Sequence, residues 1–271
     1  MMMKEMLFRT VVEVPRPDFE LLPLEPLLFV GSCFADSIGR RFAEEKFPVV
    51  ANPYGVMYNP ASILHTAERL DSCGRVAFVT LGTNHVYRLK ATGEIVDNCQ
   101  KRPQRLFEEE ALSVDECCGY LRQTVAVLRR LNAEVRVVLT VSPIRYAKYG
   151  YHGSQLSKAT LLLAADRVAA EDADVYYFPA YEIVCDELRD YRFYQPDMLH
   201  PSEQTVEYIW QRLVGSYFSD AARQYLEEWR PLKEALAHKP FHPESEEYRS
   251  FLDKTMLKVA ELSKKYPTFA L

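Results

Sequence analysis

Ten residues near the start, Leu27-Leu28-Phe29-Val30-Gly31-Ser32-Cys33-Phe34-Ala35-Asp36, constrain the fold more than any other stretch of this chain. An apolar run of strand length ends in a glycine and a serine, and an amphipathic helical pattern starts at once. The same alternation then repeats. Strand patterns fall at 27–30, 49–52, 76–81, 135–141 and 175–181, and helical patterns at 35–45, 61–70, 114–131 and 155–171. Strands alternating with helices predict a mostly parallel sheet covered on both faces, a three-layer α/β/α sandwich. The interval 85–107 breaks the rhythm. Val86 to Leu89 and Ile95-Val96 read as a β-hairpin turned at Thr92-Gly93, expected to stand near the site as a wall or lid. After Ser202 only helical patterns remain. One at 203–218 closes a domain spanning 1–218. Those at 220–237 and 244–265 form a charged extension over 219–271, expected to pack on the same domain or to serve a homodimer.

Composition narrows the class. A chain of 271 residues, 48% of them hydrophobic, buries one sizeable core. The net charge of −5 offers no broad basic surface, so nucleic acid is not an expected partner. No stretch approaches the roughly 20 apolar residues that span a bilayer, so no membrane partner is expected. Residues 1–17 lack an apolar signal core because Arg9, Glu13 and Arg16 interrupt them, which predicts a cytoplasmic protein. The six cysteines, Cys33, Cys73, Cys99, Cys117, Cys118 and Cys185, contain no Cys-x-x-Cys pair and read as free thiols. Cys117 and Cys118 are adjacent on a helical pattern and point about 100° apart, which does not suit a shared metal. His65, His85 and His152 also lack ligand spacing. No metal and no cofactor are expected.

Ser32 has its hydroxyl where the first strand gives way to a helix. That position is an ordinary helix cap, and it is also where a nucleophile meets free N–H groups able to hold an oxyanion. Partners decide between the two readings. Asp197 and His200 lie three residues apart between Pro196 and Pro201, in a turn that can direct a carboxylate at one imidazole nitrogen and leave the other for a serine. Either could instead be an ordinary loop residue. The candidate oxyanion donors are the Ser32 backbone N–H, the Gly55 N–H and the Asn84 side chain, with Asn59 in reserve. Asn84 reads equally as a turn residue, and Asn59 equally as a helix cap. Arg145 and Lys158 read chiefly as structural cations, although Arg145 also suits an anionic substrate group. Cys33 beside Ser32 is expected to pack inward.

Gly31 to Ala35 spell Gly-Ser-Cys-Phe-Ala, and further blocks follow at Asn52-Pro53-Tyr54-Gly55, Tyr58-Asn59-Pro60, Thr80-Leu81-Gly82-Thr83, Ser142-Pro143-Ile144-Arg145, Gln155-Leu156-Ser157-Lys158-Ala159 and 177–200. Over about residues 5 to 220 the chain resembles the GSCFA-domain family, which is related to the SGNH (GDSL-like) hydrolases. The resemblance implies an SGNH-like sandwich with Ser32 as nucleophile and Asp197 and His200 completing a triad. It also implies a serine esterase working through an acyl-enzyme on a small-molecule or carbohydrate ester, an acylated sugar first among them. Asn59, His85 and Arg145 are then candidate substrate contacts. The chain departs from the family's usual residues at Asn84-His85, Gln100 and Tyr146. A non-catalytic protein using the same cleft for a glycan or small ligand is the competing reading. A flavodoxin-like nucleotide binder is disfavoured, since no glycine-rich phosphate loop follows the first strand.

Overall fold

A computed structural model describes residues 9–97, 99 and 102–271, so Gln100 lies outside the described residues. The strands are β1 (Leu27–Gly31), β2 (Val49–Ala51), β3 (Val76–Leu81), β4 (His85–Leu89), β5 (Ile95–Val96), β6 (Phe107–Ala111), β7 (Arg136–Val141) and β8 (Val175–Tyr177). The helices are α1 (Cys33–Glu44), α2 (Pro60–Glu68), α3 (Val114–Leu131), α4 (Gly150–Glu171), α5 (Ala180–Glu182), α6 (Glu203–Tyr217), α7 (Asp220–Ala237) and α8 (Glu246–Lys265).

Five strands form a parallel sheet in the order β2-β1-β3-β7-β8. Both faces are buried, which is why these strands read as near-continuous apolar runs. Side chains alternate between two cores. Leu27, Phe29, Val76, Phe78 and Val138 point into the first, beside Phe34, Ile38 and Phe42 of α1 and Ile209, Trp210 and Leu213 of α6. Leu28, Val30, Ala77, Val79, Leu81, Val137, Leu139 and Val141 point into the second, against α2, α3 and α4. The rings of Phe29 and Phe78 stack at 4.7 Å between centroids, registering β1 on β3. The three-layer sandwich read from the sequence is the architecture observed.

Strand order also locates a crevice. Helix α1 leads outward from β1 to β2, and α2 brings the chain back past β1 to β3. The connections thus diverge at the carboxyl ends of β1 and β3, the switch point where open α/β sheets bind ligands. Ser32 follows β1 at that point, and Gly82 follows β3.

Two elements differ from expectation. The hairpin is part of a three-stranded antiparallel sheet, β5-β4-β6, with His85 paired to Ala111 and Leu89 to Phe107. Strand β6 reads Phe-Glu-Glu-Glu-Ala, and its three exposed or half-exposed glutamates hide the alternation that marks a half-buried strand. The turn lies where expected, with Gly93 at φ +75° donating its N–H to the Leu89 carbonyl at 2.7 Å. The fifth strand stops at Tyr177. The remaining apolar residues Ala180, Ile183 and Val184 go into α5 and a π-helical turn over Ile183–Leu188, because a short buried run fits a helix as well as a strand.

The helical extension belongs to the first core. Tyr225, Trp229 and Leu232 of α7, Val259 and Leu262 of α8, and Phe269 share it with Phe42, Phe47 and Phe218. The Tyr225 hydroxyl donates to the Glu45 carbonyl at 2.8 Å, and Lys233 pairs with the Glu45 carboxylate at 2.9 Å. No helix among the described residues is long and apolar enough to cross a membrane.

Candidate active site

The turn that carries Ser32 is held from both sides. Gly31 pairs with Thr80 at φ +137°, where any side chain would collide with the Thr80 carbonyl, so only glycine lets β1 and β3 stay in register to their ends. The Gly31 N–H donates to Asn52 Oδ1 at 2.8 Å, the Asn52 amide donates to Asp36 at 2.7 Å, and the Gly31 carbonyl accepts from Met57 N–H at 2.8 Å. Ser32 is fully buried and caps α1, its Oγ accepting from Phe34 N–H at 3.3 Å. Its own N–H, an expected oxyanion donor, donates to the Thr80 carbonyl at 3.1 Å, extending the β1–β3 pairing by one residue. The half-buried Cys33 thiol is pushed up by burial, which keeps it protonated and a poor nucleophile.

Asp197 and His200 meet as their spacing implies. Tyr194 bridges to Pro201, the Gln195 N–H donates to the His200 carbonyl at 2.7 Å, and Met198 takes φ +59° between them. Asp197 Oδ2 lies 2.6 Å from His200 Nδ1, while Oδ1 accepts from the N–H groups of Leu199 at 2.9 Å and His200 at 3.0 Å. Nε2 is therefore the ring nitrogen left for proton transfer. Those two backbone donors, then the imidazole, hold the Asp197 carboxyl down to about 2. A carboxyl depressed on folding favours the folded state above its unfolded value near 4, and the contribution disappears as pH falls through about 2. The Asp197 carboxyl resonance should therefore stay flat from neutral pH to about 4 and titrate near 2 in a carbon-detected NMR series. A midpoint near 4 would mean that the turn's hydrogen bonds are absent in solution.

Arg145, a candidate substrate contact, grips this turn. Its N–H donates to the Leu199 carbonyl at 3.1 Å and its Nη1 to the Met198 carbonyl at 3.0 Å, with the guanidinium 4.2 Å from the Tyr151 ring centroid. The Asp-His pair is thereby fastened to the segment after β7. Among the described residues no hydrogen bond joins the Ser32 hydroxyl to His200; the two stand at the same end of the sheet, linked through the residues after β3 and β7.

The other candidates serve the scaffold. The Gly55 N–H closes a turn onto the Asn52 carbonyl at 2.8 Å, with Gly55 at φ +95°. Asn59 caps α2, accepting from Ser62 N–H at 2.9 Å. The Asn84 amide donates to the Leu112 carbonyl at 2.7 Å and its N–H to Ser157 Oγ at 3.0 Å, tying the small sheet to α4. His85 stacks on Tyr149 at 3.8 Å, and burial lowers its ring pKa. For Gly55, Asn84 and His85 a nearby main-chain group or ring takes the N–H or side chain that sequence reasoning reserves for substrate, and Asn59 gives its Oδ1 to the α2 cap.

The GSCFA family model matches residues 26–74 and 72–213, and a model of the GSCFA domain protein C-terminal domain matches 229–271. The chain belongs to the GSCFA family. Its helical extension, outside the signature blocks, thus has a family model of its own. No curated protein matches the sequence. Similar solved structures include a lipolytic G-D-S-L family protein from Veillonella parvula, with 12% identity, TM-score 0.46, and coverage of 71% of this chain and 97% of that one. A mutant acetyl-xylooligosaccharide esterase from Geobacillus Stearmophilus has 14% identity and TM-score 0.48, covering 76% and 99%. A carbohydrate esterase family 3 protein from Talaromyces cellulolyticus has 10% identity and TM-score 0.40, covering 76% and 99%.

Two features of this GSCFA chain go further than the sequence reading, which took Lys158 for a structural cation without its partners. Lys158 is buried, and its Nζ donates to the carbonyls of Gly82 and Ser142, each at 2.7 Å, so one ammonium clamps the ends of β3 and β7. Burial pulls its pKa down to about 7. The available signal was position: Lys158 shares the inward stripe of α4 with Ser154, Leu161 and Ala165. A cavity of 320 Å³ walled by Arg145, Gln155, Tyr151, Tyr181, Tyr191 and Tyr194 adjoins the Asp197–His200 turn through Arg145 and Tyr194, with Ser32, Asp197 and His200 outside its lining.

Proposed function

We propose that this protein is a serine-dependent carboxylic-ester hydrolase acting through an acyl-enzyme, with acetylated carbohydrate as its substrate class. The observation that carries the reading is the Asp197–His200 pair, made at 2.6 Å in a turn fastened by Arg145 to the sheet end where Ser32 sits. In this reading Ser32 Oγ attacks the ester carbonyl and His200 Nε2 takes its proton. Asp197 holds Nδ1 and stabilises the imidazolium. The tetrahedral intermediate collapses, and the departing alkoxide takes the proton from His200. Water, deprotonated by the same ring, then releases the acid and restores Ser32. The tyrosine-walled cavity beside the turn supports a sugar alcohol as leaving group, because aromatic faces pack on the apolar faces of pyranose rings while Gln155 and Arg145 offer hydrogen bonds.

A ligand-binding protein without catalysis is the second reading, favoured by the complete burial of Ser32 and its use as a cap. Hydrolysis of p-nitrophenyl acetate and butyrate separates the two, run beside labelling by a fluorophosphonate and identification of the modified peptide. Turnover with label on Ser32 is expected. An inert wild type with unmodified Ser32 would leave the binding reading.

A further inference from the structure

An acyl-transfer site needs a donor aimed at the oxygen of the tetrahedral intermediate, and the three donors expected first from the sequence have partners elsewhere, while Asn59, held in reserve, caps α2 through its Oδ1. Ser32 N–H is bonded to Thr80, Gly55 N–H to Asn52, and the Asn84 amide to Leu112. Another donor stands beside the nucleophile. The position that a Cβ of residue 82 would take is 3.3 Å from Ser32 Cβ, and it collides with the Tyr146 hydroxyl. Glycine at 82 leaves room for that hydroxyl, so Tyr146 and Ser32 flank the same small space above residue 82. The hydroxyl is buried and has no hydrogen-bond partner, an arrangement that usually costs about 1–3 kcal/mol and therefore asks for an explanation. Its ring is fixed by the edge of Tyr58, centroids 6.2 Å apart, and by the Lys158 ammonium 5.0 Å from its centroid.

We propose that the Tyr146 hydroxyl donates the hydrogen bond that stabilises the oxyanion formed at Ser32, an inference that rests on the esterase reading above. As the Ser32 Oγ–carbon bond forms, the carbonyl π pair moves onto oxygen. Tyr146 shares its proton with that oxygen and keeps it, while the Ser32 proton goes to His200. Burial raises the phenol above its ordinary range, so it remains a donor across the working pH of an esterase. A donor already oriented before substrate arrives needs no reorganisation when charge develops.

The test is Tyr146→Phe beside wild type and Ser32→Ala, with p-nitrophenyl acetate as substrate. Losing one oxyanion donor is expected to lower kcat by ~10²-fold or more with little change in KM. The rate of fluorophosphonate labelling of Ser32 should fall in parallel. The thermal midpoint should hold or rise, because the change removes an unpartnered buried polar group and leaves no new one. A Tyr146→Phe enzyme with wild-type kcat, or one altered only in KM, overturns the proposal while leaving the esterase reading in place. Ser32→Ala retaining wild-type turnover, or an inert wild type, overturns the esterase reading and the Tyr146 role with it.

Discussion

Replacing His200 by alanine is expected to lower kcat/KM for p-nitrophenyl acetate by ~10⁴-fold or more while the protein stays folded. The size follows from what the ring does in the proposed reaction. Without it Ser32 must lose its proton to water, and the alkoxide must leave unprotonated. The fold should survive because His200 is half-exposed and, among the described residues, its ring is bonded to Asp197 alone. The turn keeps its other supports: Gln195 N–H on the residue 200 carbonyl at 2.7 Å, and Arg145 on the carbonyls of Met198 and Leu199 at 3.0 and 3.1 Å. The Ser32→Ala/His200→Ala double variant should be no slower than the worse single one, since nucleophile and base act as a unit. Steady-state kinetics with circular dichroism on each variant check this. A His200→Ala protein within tenfold of wild type would remove the base from the proposal.

How much of this was readable in advance depended on how local each feature is. The βα units were legible because strands buried on both faces read as short apolar runs and the helices between them as period-3.6 patterns. Asp197 and His200 were legible because their contact spans three residues within one turn. Strand β6 was hidden by Glu108 to Glu110, three charged residues in a row of which Glu109 and Glu110 pair with Lys148 and Arg88, so its pairing to β4 left no apolar trace. The individual roles of Gly55, Asn59 and Asn84 were hidden for another reason. A glycine or asparagine at the end of an element can face a ligand or serve its own backbone, and only the positions of Asn52, Ser62 and Leu112 decide. The partners of Tyr146 and Lys158 lie well away in the chain, at Gly82 for both and also at Ser142 for Lys158, and no local pattern encodes them.

Removal of residues 219–271 is expected to leave a chain that does not fold, although the catalytic candidates all precede the cut. The extension is an integral part of the first core. Tyr225 and Trp229 are among the largest fully buried side chains, and Phe47 packs its ring edge-on against Tyr225 and Phe218. Truncating one buried Trp or Phe to alanine typically costs about 3–5 kcal/mol, and a domain's whole stability is about 5–15 kcal/mol. Losing Tyr225, Trp229, Leu232, Val259, Leu262 and Phe269 together therefore exceeds what the remaining domain can supply. The truncated chain should be insoluble, or should bind hydrophobic dyes and lack a cooperative thermal transition. In the full chain, Trp229→Ala should lower stability by about 3–5 kcal/mol, read by denaturant titration, with activity per folded molecule unchanged at low temperature. A residue 1–218 protein that melts cooperatively at the wild-type midpoint would show the extension to be dispensable. The opposite result would place α7 and α8 inside the same folding unit as α1, the helix that Ser32 caps, which meets α7 through Glu45 and shares the first core with both.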